Sequence, residues 1–153
     1  MTVKISTQAG KQAGTLLRGQ TNPPCRILVV GHEPDICRLN AQVLKNFGYE
    51  VDTAEDGKAG WETLHATRHA PESYALLITD HGLQEFSDLA LLKKARAARM
   101  ALPVIMATTA LPTVDFYTRY PWLQPVIMLV KPYSISHLLR TVEAVLSATW
   151  PVR

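Results

Sequence analysis

Short unbroken apolar runs alternate along this chain with longer stretches in which apolar residues return every three or four positions. The first run, RILVV at 26–30, is β-branched and continuous, as a strand covered on both faces should be. Ile36, Leu39, Val43, Leu44 and Phe47 then recur at helical spacing, and Gly48 follows as a C-terminal cap. YEVDTA (49–54) alternates as a strand does, and DGKAGWETLHATRH (56–69) reads as a helix with Trp61 and Leu64 turned inward. YALLITD (74–80) is a third buried strand, and Phe86, Leu89 and Leu92 with a basic outer face make a third helix. LPVIMATT (102–109) is the fourth strand. In LPTVDFYTRYPW (111–122), Pro112 suits a helix start and Pro121 cuts the helix short. PVIMLV (125–130) is the fifth strand, and Ile135, Leu138, Leu139, Val142, Val145 and Leu146 line one face of a last helix.

Five buried strands separated by helices imply an α/β fold of (βα)5 type: a parallel five-stranded sheet covered on both sides, in three layers. Ligands of such sheets collect at the carboxyl ends of the strands. Those ends are Gly31-His32, Asp80, Thr108-Thr109 and Lys131. An aspartate, a hydroxyl and an amine at one sheet edge suit phosphoryl chemistry. The carboxylate can act as nucleophile, while the amine and the hydroxyl hold the phosphoryl oxygens.

Composition narrows the classes. At 153 residues with 47% apolar and 19% charged residues, the chain fits one soluble domain with a proper core. The formal net charge of +3 lies wholly in residues 1–24, which carry Lys4, Lys11 and Arg18 and no acid. The remainder is neutral, so a nucleic-acid partner is not expected. Residues 1–24, rich in Gly, Gln, Thr and Ala, read as a flexible leader; 25–150 is the expected domain and 151–153 a tail. No apolar run approaches the roughly 18 residues of a membrane span, and the N-terminus lacks a signal peptide's apolar core. Cys25 and Cys37 have no metal-type spacing and suit reduced thiols in a cytoplasmic setting.

Residues 26–148 resemble the receiver domain of bacterial two-component response regulators. ILVVGHEPDICRLN is similar to the family's ILVVDDEPDIRRLL apart from the two acids, and FGYEVDTAEDGKAGWETL resembles its second strand and helix. LLITD, PVIMATT and VKPY resemble the phosphoacceptor strand, the strand ending in the switch threonine, and the lysine-proline corner. The resemblance implies a doubly wound, flavodoxin-like fold and an aspartate phosphorylated by a histidine kinase or phosphotransfer protein. It makes Asp80 the acceptor, Thr108 the switch hydroxyl, Lys131 the phosphate-pairing amine and the Gly82 carbonyl a metal ligand.

The departures from the pattern are specific. Gly31 and His32 stand where the family's acid pair holds Mg2+, Gln84 replaces a proline, and Met128 replaces the aromatic switch residue. The connection ATRHAPESY before the third strand is longer than usual. The usual pocket is net negative; here Asp80 and Lys131 nearly cancel. Magnesium seeks about six oxygens at about 2.0–2.1 Å. Asp80, the Gly82 carbonyl and Glu33 as a helper would be its only protein ligands, so weak or absent binding is expected.

Side-chain readings remain open at several positions. His32 is a neutral polar remnant, a soft-metal ligand together with Asp80, or a cation in magnesium's place. His81 reads as structural, and His65 and His69 as a solvated pair lacking a third ligand. Lys93, Lys94, Arg96 and Arg99 form a basic stripe, either solvated or a docking patch. Tyr133 is a packing residue or a partner contact; with Met128, Tyr117 and Tyr120 it is assigned to an output face exposed to a downstream protein. No output domain is expected after residue 148, so a signal would leave by protein contact. Two functions are therefore weighed: a phosphoaccepting receiver, and a phosphorylation-independent pseudo-receiver that docks. A flavodoxin-like cofactor binder is disfavoured, because no Gly-rich phosphate loop follows the first strand.

Overall fold

The computed structural model describes residues 25–70, 73–79, 86–109, 113–123 and 126–149. The chain runs β1 (Arg26–Val30), α1 (Pro34–Asn46), β2 (Glu50–Ala54), α2 (Gly57–Thr67), β3 (Leu76–Thr79), α3 (Phe86–Ala97), β4 (Val104–Thr108), α4 (Val114–Arg119), β5 (Val126–Val130) and α5 (Ile135–Thr149). A single 3-10 turn, Pro121–Leu123, separates α4 from β5. All pairings are parallel, in the order β2-β1-β3-β4-β5. The fold is thus the doubly wound, flavodoxin-like sheet that the alternation implies, with its order reversing between β1 and β3. The leader 1–24 and the tail 151–153 lie outside the described residues.

Strand alternation divides the core in two. Ile27, Val29, Leu76, Ile78 and Ile105 pack with α1 and α5, through Cys37, Ala41, Leu44, Leu138, Val142 and Leu146. Leu28, Val30, Leu77, Val104 and Met106 face α2 and α3, through Leu64, Leu91 and Leu92. The aromatics Phe116, Tyr117, Tyr120 and Trp122 close this second face. Each fully buried Leu or Ile side chain is worth roughly 1.5–3 kcal/mol of transfer free energy. Gly60 lets α2 lie close: a Cβ there would meet Val30 Cγ2 at 3.0 Å and Leu91 Cδ2 at 3.3 Å.

Three helix faces differ from the sequence reading. On α1 the buried residues are Cys37, Asn40, Ala41 and Leu44, whereas Leu39 and Phe47 are 54% and 64% exposed and Ile36 is also exposed. The helix approaches the sheet through its small residues, which apolar size alone does not reveal. On α3, Leu91, Leu92 and Ala95 are buried and Leu89 is half-buried; the Phe86 side chain lies outside the description. Ile135, expected on the inner face of α5, is exposed.

Helix ends follow their capping chemistry. The Asp56 carboxylate accepts from the Ala59 amide at 2.8 Å and starts α2. Gly48, at φ 97°, ends α1 in a Schellman turn, with bonds Gly48 N–H to Lys45 O and Tyr49 N–H to Leu44 O. Arg99 plays the same part after α3 at φ 62°, its amide bonding Arg96 O and that of Met100 bonding Ala95 O. A side chain in this left-handed region costs energy that glycine avoids. Arg99→Gly should therefore raise stability by about 1 kcal/mol in urea denaturation.

At the foot of the sheet Arg26, Asp52 and Tyr74 interlock. Arg26 Nε lies 3.3 Å from Asp52 Oδ2, the Tyr74 hydroxyl donates to the same oxygen at 2.6 Å, and the guanidinium sits over the Tyr74 ring. Burial, then the bond to Asp52, pushes the Tyr74 phenol up to about 12. An acid whose folded pKa is raised stabilises the fold below its unfolded value, about 10 for tyrosine. That contribution should fade as pH rises from about 10 towards 12, and denaturation of Tyr74→Phe across this window should lack the loss.

Candidate functional site

The site lies at the carboxyl edge of the sheet, where β1, β3, β4 and β5 end. Beyond β1, buried Gly31 extends the ladder by one residue, its N–H donating to Ala54 O at 3.1 Å. His32 is exposed, with Nδ1 3.2 Å from Glu55 O. Glu33 is exposed at the cap position of α1, its side chain making no capping bond, and Pro34 opens the helix. The two positions that would offer acids thus carry a residue without a side chain and an imidazole.

Strand β3 ends at Thr79, which pairs in register with Val30 on one side and Met106 on the other. Thr79 is fully buried and its hydroxyl has no hydrogen-bond partner among the described residues. Asp80, His81, Gly82 and Gln84 follow directly in sequence and lie outside the described residues.

Strand β4 ends at Thr108, 7% exposed, and its carbonyl accepts the Lys131 amide at 2.7 Å. This bond ties the residue after β5 to the last residue of β4, so Thr108 and Lys131 are neighbours at the edge. Lys131 is half-buried and precedes Pro132 through a cis peptide. Met128 is half-buried against the second core face.

Tyr133 is not the exposed anchor of the sequence reading. It is half-buried against the first core face, and its hydroxyl accepts from Asn40 Nδ2 at 3.0 Å. Asn40 itself is only 5% exposed. Tyr117 and Tyr120 are also half-buried, because Phe116 stacks against both, at 5.5 and 5.0 Å between ring centroids. The basic stripe on α3 is also interrupted. Lys93, Lys94 and Arg99 are exposed, but the Arg96 guanidinium turns in to Met100 O, Leu102 O and Leu123 O at 3.1, 2.7 and 3.2 Å. His65 is exposed beside Trp61, with ring centroids 5.1 Å apart.

Asn40 and Thr79 are polar groups of this region that sequence reasoning missed. An asparagine three residues after Cys37 and four before Leu44 signals itself once the small-residue face of α1 is recognised.

A hard cation needs several oxygens; at the positions of the family's acid pair Gly31 and His32 supply no carboxylate, and Glu33 after them is exposed. Among the described residues no three potential ligands from His, Cys, Asp and Glu cluster. Nor is any described helix long and apolar enough to cross a membrane.

Thr79→Val removes a buried hydroxyl that lacks a partner while keeping the branched shape. It should raise stability by about 1 kcal/mol in urea denaturation, since such a group carries a desolvation cost without a compensating bond.

Comparison with known proteins matches residues 27–143 to the response regulator receiver domain. The transcriptional regulatory protein DltR of Streptococcus agalactiae is 34% identical over 90 residues, which are 59% of this chain and 38% of that protein. This chain therefore spans well under half of that curated relative. A CheY-like receiver domain from Methanospirillum hungatei superposes with a TM-score of 0.68 at 24% identity, covering 82% of this chain and 96% of that one. The receiver domain of the hybrid histidine kinase CckA gives 0.61 at 28% identity, covering 78% and 96%.

Proposed function

The chain belongs to the response regulator receiver domain family, the receiving modules of two-component signalling, and on that premise we propose that Asp80 accepts a phosphoryl group without resident magnesium. We assign the receiver unit to residues 25–150. Receiver domains take phosphoryl groups from histidine kinases or phosphotransfer proteins and generally bind Mg2+; for this chain a donor of that class is the proposed partner. The observation that carries the reading is the 2.7 Å bond from the Lys131 amide to Thr108 O. It holds the backbones of Thr108 and Lys131 side by side at the end of β4, the strand next to the one that Asp80 follows.

In this scheme an Asp80 carboxylate oxygen forms the new bond to phosphorus. The bond from phosphorus to the donor's nitrogen or oxygen breaks, and the leaving group keeps the electron pair. Lys131 and Thr108 then hold the phosphoryl oxygens through charge-assisted and neutral hydrogen bonds. Without two further carboxylates, the incoming charge meets less repulsion than in an acid-lined pocket. Ile36 and Leu39, exposed on the first turns of α1 beside the site, offer the donor an apolar contact.

Output is proposed to pass to a downstream protein through the face around α4, β5 and α5. Val114, 81% exposed, with Ile127 and Ile135, supplies apolar surface there, flanked by half-buried Tyr117 and Tyr120. Met128 offers no ring to act as a two-position lever, so little change of this face on phosphorylation is expected.

The exposed His32, facing Glu55 O where an acid would stand, favours a second reading: a phosphorylation-independent docking module. Incubation with a small acyl phosphate, followed by intact-protein mass measurement, separates the two. The wild type should gain one phosphoryl group, lost in Asp80→Asn, at a rate that millimolar magnesium barely changes. Gly31→Asp with His32→Asp should make the rate magnesium-dependent and several-fold faster. Labelling of neither protein would leave the docking module as the function.

A further inference from the structure

Lys131 sits in a short corner between β5 and α5, and that corner is held at three points. On the β5 side, the Lys131 amide bonds Thr108 O at 2.7 Å. On the α5 side, Ser134 caps the helix, its Oγ accepting the His137 amide at 3.0 Å and its carbonyl accepting that of Leu138. Between them stands Tyr133, whose hydroxyl accepts from Asn40 Nδ2 at 3.0 Å across to α1.

Asn40 is 5% exposed and lies on a helix face otherwise made of Cys37, Ala41 and Leu44. A primary amide on such a face is costly unless its hydrogen bonds are made. Packing the Tyr133 ring against this core would need only a phenylalanine; its hydroxyl gives the buried amide a partner. We infer that Asn40 and Tyr133 are positioning residues, a strut from α1 that fixes the direction in which Lys131 is presented at the sheet edge. In a site without a divalent cation, Lys131 is the principal positive charge assigned to the phosphoryl group, so its placement bears more on the reaction than it would beside a metal. This inference rests on the proposed phosphoacceptor function for its consequence, though not for its geometry.

The test uses the full chain with isotope-labelled lysines and the variants Tyr133→Phe, Asn40→Leu and their combination. Each single change keeps a side chain of similar shape, and Asn40→Leu adds an apolar group to an apolar face, so either can report if the other fails to fold. The side-chain NMR resonance of Lys131, assigned with Lys131→Arg, should move towards those of solvated lysines in each single variant and no further in the double. The acyl phosphate concentration giving half-maximal labelling of Asp80 should rise by up to about tenfold in each, again without addition in the double. An unmoved Lys131 resonance in a folded single variant, or shifts that add in the double, would overturn the strut. Absence of labelling in the wild type would instead remove the phosphoacceptor reading, and the lysine resonance would still decide the strut.

Discussion

The interior of the sheet admits almost no polar side chain, and the position of every chemical group follows from that. Ile27 to Val30, Leu76 to Ile78 and Val104 to Ala107 are each at most 1% exposed, because helices cover both faces of three adjacent parallel strands. An unpaired charge at such a position would cost several kcal/mol. Reactive side chains are therefore confined to the strand ends. The strand order then sets which ends are neighbours: β1 and β4 flank β3, and β5 stands beyond β4. Residues as far apart in sequence as Gly31 and Lys131 come to one edge by backbone pairing alone.

Polar groups that do enter the core act as ties. Arg96 reaches from α3 to carbonyls of the segment before β4 and of the turn before β5, joining the helix to two irregular pieces. Asn40 joins α1 to the corner after β5. Thr79 makes no such bond among the described residues.

At the edge itself the chemistry has been changed with little sign of change to the scaffold. The backbone amide of Gly31 still lengthens the ladder to β2, and α1 still begins at Pro34. Gly31 and His32 stand in the turn in place of two acids, which leaves fewer carboxylates to hold a hard cation or to repel an incoming phosphoryl group. In the proposed scheme the burden of orienting a phosphoryl group falls to Lys131 and Thr108, and so to whatever holds them. Around α4 and β5, the aromatic cluster about Phe116 and the thioether of Met128 pack against the second core face.

Much of this was legible in the sequence. Unbroken apolar runs, helical spacing and caps such as Gly48 and Asp56 are local properties, so the ten elements and the layered parallel sheet follow from them. The identities of the strand-end residues, including the missing acids, are likewise read directly. Which face of α1 is buried was not legible, because close approach to the sheet selects small residues and leaves Ile36, Leu39 and Phe47 outside. The roles of Arg96 and Tyr133 were also hidden. Their sequence neighbours suggest a basic stripe and an exposed aromatic, yet their hydrogen-bond partners lie up to 93 positions away. Local pattern determines which elements form and which groups they end in. Only the tertiary structure decides which long side chains turn inward, because that depends on which distant carbonyls and hydroxyls are left needing a partner.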